Sequence, residues 1–260
     1  MKKRESDLDR TRGLLAGLGF EHAPAALSDL VEHAVREEMS LPVFLDLVLE
    51  REHAFREERR VKASLKISGL PVGKTLESYD FAFQRGLDRG RLDLLSTCEF
   101  ARRKENVLLL GPPGVGKTHL AAGLGVRAVQ NGFSVVFLTA DELVERMRRD
   151  EAGGRGRAHR RKYMNAAVLI VDELGFQALD RKDAHLLFRL VSHRYERGST
   201  VITSNKGIRE WPDMLAGDEV LATAILDRLL HHCQVVTIDG RSFRIREMDR
   251  LTQPPPPRGG

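Results

Sequence analysis

The sequence predicts an α/β fold built on a parallel sheet and preceded by a small all-helical region. Three observations predict it. Val107–Leu110 is a short apolar run of the kind that forms a strand buried on both faces, and it feeds directly into Gly111-Pro-Pro-Gly-Val-Gly-Lys-Thr. A second apolar run, Val168–Val171, ends in the acid pair Asp172-Glu173, 55 residues beyond Lys117. Residues 5–66, by contrast, carry apolar side chains at helical spacing.

Composition bounds the answer before any element is placed. The 260 residues suffice for one large domain and a smaller one, and 42% hydrophobic with 30% charged residues is a soluble, globular balance. The longest strongly apolar runs, such as Ala166–Val171, are far too short to span a bilayer, so no membrane partner is expected. Met-Lys-Lys-Arg-Glu-Ser-Asp-Leu-Asp-Arg at the start has no apolar core of a secretory signal. Cys98 and Cys233 lack metal-ligand spacing and read as reduced thiols of a cytoplasmic protein. The net charge of +5 is unevenly placed: residues 1–60 hold ten Lys/Arg against thirteen Asp/Glu, which leaves +8 on the rest. A nucleic-acid surface is therefore sought in the part that follows.

In chain order, apolar residues at 8, 14, 15 and 18 predict a first amphipathic helix, and Ala25–Met39 a second. Ser40 caps a third, long helix with Pro42 in its first turn, where proline is tolerated, and with Phe44, Leu45, Val48 and Leu49 as its buried face. From Glu50 onward its charges alternate at i,i+4 spacing, as on a solvated helix. This region, 1–68, is read either as a plain helical bundle or as a docking module for a protein or DNA. Gly69-Leu-Pro-Val-Gly marks the boundary. Thr75–Phe81 is predicted to be extended, with Leu76 and Phe81 packing under the sheet or lining a base pocket, and Arg91–Arg103 to be one helix.

Beyond the glycine-rich stretch, Lys117–Gln130 forms a helix that Asn131-Gly132 stops; Ser134–Leu138 is a strand, and Thr139-Ala-Asp-Glu opens a helix. From Arg146 to Lys162 stand eight basic residues, opposed in that stretch by Asp150 and Glu151 alone, with Gly153, Gly154 and Gly156 as flexible spacers. The plain reading is a solvated loop. The functional one is sequence-independent contact with DNA phosphates through Arg155, Arg157, Arg160, Arg161 and Lys162. Only Tyr163 is aromatic there, which disfavours stacking on single strands. Asp180 caps a helix to about Arg197, Thr200–Asn205 is a strand with a polar tip, Leu221–His232 is a helix and Val235–Ile238 the last strand. Residues 69–250 form the large domain, and 251–260, rich in proline, a disordered or extended tail.

The chemistry follows from spacing. Gly111, Gly114, Gly116, Lys117 and Thr118 match G-x-x-x-x-G-K-[ST], the phosphate-binding loop, with Pro112, Pro113, Val115 and His119 completing the cradle. The glycines let backbone N–H groups converge on phosphates, Lys117 adds positive charge, and the helix start presents its positive dipole end. The Thr118 hydroxyl and Asp172 are placed to hold Mg²⁺, and Glu173 to act as the general base on water. Asn205 is read as fixing that water or a γ-phosphate oxygen, although a lone asparagine is more often a turn former.

Together these segments resemble the AAA+ ATPases. From about residue 5 to 250 the chain is similar to the IstB-like transposition helper proteins of insertion sequences, relatives of the DnaC-type helicase loaders. The resemblance is carried by Gly111–Ala121, Val171–Phe176, Thr203-Ser-Asn205 and above all Asp218–His232. It implies five parallel strands in the order 5-1-4-3-2, Walker A at Lys117 and Thr118, Walker B at Asp172 and Glu173, and sensor 1 at Asn205. It also implies that Arg228 is an arginine finger reaching a neighbouring subunit's ATP, and that Leu76–Phe81 lies on the adenine side. A helical lid with a sensor 2 arginine is expected to be missing, and Arg244 is not given that role. The function so implied is an ATP- and Mg²⁺-dependent ATPase that forms homo-oligomers on duplex DNA and recruits or stimulates a transposase. The alternative is a replicative helicase loader. A nucleotide kinase is the rival from another class, disfavoured by Asp172-Glu173 with Asn205, which suit water as acceptor.

Overall fold

The computed structural model of the chain describes residues 2–84, 86–153 and 157–246, and the side chains of residues 2–6 and 157–159 lie outside that description. The chain divides into two compact units, residues 1–63 and 64–260.

The first unit is helical. It contains α1 (Lys2–Gly17), α2 (Ala23–Arg36) and most of α3 (Leu41–Ser68), whose last turn belongs to the second unit. Its core is small: Ala23, Leu30 and Val48, with Leu15, Phe20, Phe44 and Leu47 packed against them. Leu45 and Leu49, expected on the buried face of α3, are exposed. The apolar stripe of α3 turns inward through Phe44, Leu47 and Val48 instead, which is the narrower i, i+3, i+4 set. The start of α2 is closed by a carboxylate from α3. Glu52, buried, accepts the backbone N–H groups of Glu21, His22 and Ala23 at 2.8–2.9 Å, and Arg56 Nε donates to it at 2.8 Å. Those are amides that the first turn of a helix cannot satisfy internally.

The second unit runs α4 (Arg89–Ser96), α5 (Glu99–Arg102), β1 (Asn106–Leu110), α6 (Lys117–Gln130), β2 (Val135–Thr139), α7 (Ala140–Glu151), α8 (Arg157–Asn165) and β3 (Val168–Leu174). It continues through α9 (Arg181–Arg194), β4 (Ser199–Ser204), α10 (Trp211–Met214), α11 (Glu219–Leu230) and β5 (Cys233–Thr237). The five strands are all parallel, in the order β2-β3-β4-β1-β5. That is the order expected from the resemblance, read from the other edge. Strand β1 lies between β4 and β5, so its C-terminal end opens among the ends of its neighbours, where ligands of open α/β sheets bind. Continuous apolar runs make this possible: Val107–Leu109, Leu169–Val171 and Ile202 are buried to within a few per cent. Each such side chain contributes about 1.5–3 kcal/mol of hydrophobic stabilisation.

Two local expectations are corrected. The helix predicted over Arg91–Arg103 is broken into α4 and α5, because Cys98 takes a left-handed φ of 59° at the junction while the Thr97 hydroxyl bonds back to Leu94 O at 2.7 Å. Thr75–Phe81 is not extended but a run of turns, held by the Ser78 hydroxyl donating to Gly73 O and Thr75 O at 3.0 Å.

The basic stretch is also more structured than a loop. Arg146, Arg148 and Arg149 lie on α7, and Arg157–Lys162 on α8. Arg148 is engaged by Asp180 and Asp183 of the α9 start and Arg149 by Glu145, so acids beyond Asp150 and Glu151 oppose the cluster.

Candidate functional site

The loop after β1 bends where only glycine is comfortable. Gly114 and Gly116 have φ of 84° and 98°, and each lies so close to a neighbour that a Cβ would stand 2.1 Å from Ser242 Oγ or 2.6 Å from Tyr79 Cε2. Gly116 is the N-cap of α6, so the first amides of that helix face the loop. Lys117 Nζ donates to Gly111 O at 2.7 Å and Pro112 O at 2.8 Å. Burial lowers its pKa; Asp172 and Glu173 oppose that shift, and Arg244 adds to it.

Strand β3 brings the acids to the same place. Asp172 is buried, and its Oδ1 accepts from Thr118 Oγ1 at 3.0 Å and from Thr203 Oγ1 at 2.5 Å. Thr203 in turn accepts the Glu173 backbone N–H at 2.9 Å. Register with β4 shifts between Val171 and Leu174, and Glu173 has a left-handed φ of 61°. Such a bulge re-aims a side chain, and for a residue with a Cβ it costs about 1–3 kcal/mol. Here it leaves Glu173 exposed at the cavity while Asp172 stays buried.

A cavity of about 470 Å³ opens beside these groups; Asp172 is not in its wall and meets it through Thr118 and Thr203. Residues 113–119, Glu173, Thr203 and Asn205 line one part, and Gly73, Lys74, Ser78, Tyr79, Asp80 and Gln84 another. The remaining wall includes Phe176, Phe243 and Arg244. The hard oxygen donors Thr118 Oγ1 and Asp172 Oδ1 suit Mg²⁺, and the glycine cradle with Lys117 and the α6 start suits a polyphosphate.

Several lining groups escaped the sequence reading. Tyr79 donates its hydroxyl to Val115 O at 3.0 Å and packs on Gly116; burial raises its pKa to about 12. Thr203 is the hydroxyl in Thr-Ser-Asn, a pattern that points to Asn205 and not to the threonine. Residues 241–246 clasp the loop. Phe243 N–H donates to Gly114 O at 2.9 Å, and Gln84 Nε2 to Arg241 O at 3.0 Å. Arg246 pairs with Asp80 at 3.1 Å while its guanidinium sits 4.1 Å from the rings of both Phe83 and Phe243. The arginines of Gly240-Arg-Ser-Phe-Arg-Ile-Arg were the available hint.

Other expected residues stand apart. Leu76 is buried under Gly123 of α6, and Phe81 lies edge-on to Tyr79, so neither lines the cavity, whereas Ser78–Asp80 do. His119, by contrast, lines the cavity, its Nε2 lying 3.0 Å from Ser78 Oγ and 2.9 Å from Thr75 O. Gly111 and Pro112 form the base of the loop rather than the cavity wall. Arg228 lies outside the cavity, half-buried on α11, donating to Ala224 O at 2.8 Å with its guanidinium 4.9 Å from the Phe188 ring. Arg160, Arg161 and Lys162 are exposed on α8; Arg155 and the side chain of Arg157 lie outside the described residues. Among the described residues, no helix is long and apolar enough to cross a membrane.

Comparison with known proteins fits this geometry. The chain is 44% identical over 234 residues to the insertion sequence IS21 ATP-binding protein of Pseudomonas aeruginosa, covering 90% of this chain and 88% of that one. It is 42% identical over 220 residues to the insertion sequence IS5376 ATP-binding protein of Geobacillus stearothermophilus, covering 85% and 87%. Among solved structures, the DnaC helicase loader superposes with a TM-score of 0.54 at 22% identity, over 65% of this chain and 98% of that one. AMPPCP-bound DnaA from Aquifex aeolicus gives 0.52 at 20% identity, over 70% and 56%. At those identities the likeness is one of fold, the AAA+ P-loop fold. The family model described as IstB-like ATP binding protein matches residues 13–250, and with that match, the phosphate-binding loop and the paired acids, the chain belongs to the IstB-like ATP-binding protein family.

Proposed function

We propose that this chain is a Mg²⁺-dependent ATPase that assembles on duplex DNA and recruits or stimulates the transposase of an insertion sequence. The observation that carries the catalytic part is the hydrogen-bonded series Thr118–Asp172–Thr203–Glu173 N–H at the end of the phosphate-binding loop. It fixes one buried acid beside Thr118, where the two would hold Mg²⁺, and leaves the next, exposed acid at the cavity.

In this reading Thr118 and Asp172 hold Mg²⁺, and the loop amides, Lys117 and Arg244 hold the triphosphate. Bound there, ATP supplies the phosphoanhydride to be cleaved, and Mg²⁺ neutralises charge on its oxygens. Lys117 releases Gly111 O and Pro112 O and turns its ammonium to the phosphates, whose negative charge opposes the lowering of its pKa by burial. Glu173 accepts a proton from water, and Asn205 fixes that water's orientation. Phe176, Tyr79 and Phe243 restrict solvent at the rim. Arg228, which the resemblance marks as an arginine finger and which lies outside the cavity of its own chain, completes the site of a neighbouring protomer.

DNA is held by the exposed Arg160, Arg161 and Lys162, together with Arg155 and Arg157, through phosphates rather than bases. Support for the transposition role comes from relatives named for insertion sequences.

The test is phosphate release without an added acceptor, measured with and without duplex DNA. Hydrolysis accelerated by DNA is expected, with Lys117→Ala weakening ATP binding and Glu173→Gln retaining ATP in a persistent assembly. Transfer only to an added nucleotide acceptor would overturn the ATPase reading. Capture of a replicative helicase in place of a transposase would overturn the transposition role.

A further inference from the structure

Outside the nucleotide cavity, one group of three metal-capable side chains brings its donor atoms together among the described residues. Glu196, His231 and His232 each offer one ligand atom, all within 4.8 Å of one another. They come from two elements that the fold makes neighbours. Helix α9 ends at Arg194, and Glu196 follows with a left-handed φ of 55°. Helix α11 ends at Leu230, and the two histidines follow it, their rings 4.2 Å apart and tilted by 44°. His232 Nε2 stands 4.0 Å from Glu196 Oε1.

A further contact orients one of the imidazoles. The Tyr195 oxygen lies 2.6 Å from His231 Nδ1, with the two rings stacked at 5.9 Å. With Nδ1–H donating to that oxygen, the Nε2 lone pair is left free and the ring is fixed, which is how metal-binding histidines are ordinarily held. All three side chains are exposed, so small rotations suffice to shorten the donor separations.

We propose that Glu196, His231 and His232 form a binding site for a divalent transition-metal ion of the Zn²⁺ class. Two neutral imidazoles and one carboxylate suit Zn²⁺ and leave a position for water, whereas Mg²⁺ keeps to oxygen donors. The bound ion ties the 195–196 turn to the end of α11, three residues past Arg228. It therefore stiffens the helix that carries that arginine. The site stands on the geometry of these side chains and not on the ATPase reading.

The experiment is calorimetric titration of the untagged, full-length, nucleotide-free chain with Zn²⁺, accompanied by visible spectra with Co²⁺. One ion per chain is expected, with the intense absorption of a low-coordinate Co²⁺ site. Glu196→Gln and His232→Ala each weaken binding at least about tenfold, and Tyr195→Phe about tenfold through the unfixed His231 ring. Replacement of the exposed His185 leaves binding unchanged. Zn²⁺ also raises the melting temperature, and Mg²⁺ at equal concentration does not. Absence of saturable Zn²⁺ uptake, or uptake equal in Glu196→Gln, His232→Ala and the parent chain, overturns the proposal. Because no nucleotide is present, that result would leave the ATPase reading untouched.

Discussion

The two compact units are held together by different means. In residues 64–260 the sheet buries whole apolar runs on both faces, and the large side chains Leu108, Leu169, Ile170 and Ile202 are almost wholly hidden. Residues 1–63 bury far less. Leu14, Leu18 and Val35 are 60%, 75% and 61% exposed, and the order of α2 depends heavily on one carboxylate, Glu52. The sheet unit also contains a polar hub of the opposite sign. Arg194, 2% exposed, donates to Tyr163 O, Met164 O, Ala166 O and Ser199 O and to Thr200 Oγ1, with distances of 2.6–3.1 Å. It closes the last turn of α8 and ties it to β4, so a buried cation satisfied by carbonyls joins the basic helix to the strand that ends near Asn205. The difference teaches where each unit is vulnerable: one through its packed interior, the other through a single cap.

The largest expected effect follows from that hub. Arg194→Ala leaves four carbonyls of the sheet unit without their donor. With about 1–3 kcal/mol lost for each buried acceptor that water does not reach, it should cost at least about 3 kcal/mol in thermal or denaturant unfolding. A loss under about 1 kcal/mol would show that water replaces the guanidinium freely and that the contrast is overstated.

Next comes Glu52→Ala, expected to cost about 1–3 kcal/mol. The loss should appear as faster amide hydrogen exchange confined to residues 1–63. The same carboxylate gives a pH signature. Burial raises its pKa, but the His22 and Ala23 amides and Arg56 together outweigh that and hold it below the ordinary value of 4.5. Its contribution is therefore fully present above that ordinary value and is lost as the pH falls through the lowered folded value. Glu52→Gln should abolish this part of the acid dependence; an unchanged acid profile would assign it to other carboxylates.

The smallest effect is chemical. Burial raises the thiol pKa of Cys98 to about 11 and of Cys233 to about 12. Both cysteines belong to the sheet unit, so alkylation at neutral pH should be slow and should report its opening alone. Arg194→Ala should accelerate it, and Glu52→Ala should leave it unchanged. Acceleration by both would mean that the units open together.

How much of this was legible depended on whether the signal was local. The phosphate-binding loop, the Asp172-Glu173 strand end and the helix caps at Thr139 and Asp180 are short-range patterns, and the structure carries each of them. Strand order came from the resemblance rather than from periodicity. What stayed hidden arises from distant partners. Tyr79 over Gly116 and Phe243 on Gly114 O join segments far apart in the chain, and nothing local marks such a meeting. The bulge at Glu173 was equally silent, because an apolar run ending in acids reads as a regular strand. Helical period placed α3, but it could not say which of Phe44, Leu45, Val48 and Leu49 face inward when the core is so small.

The proposed ATPase depends on Arg228 serving a neighbour's nucleotide rather than its own. Mixing settles this most directly: Lys117→Ala protein, which retains Arg228, is combined with Arg228→Ala protein, which retains the loop, and phosphate release is followed on duplex DNA. Each variant alone should be slower than the parent by about 10³-fold or more, and the mixture should regain a substantial fraction of parental turnover. Parental turnover by Arg228→Ala alone at every protein concentration, or a mixture no faster than its parts, would contradict it.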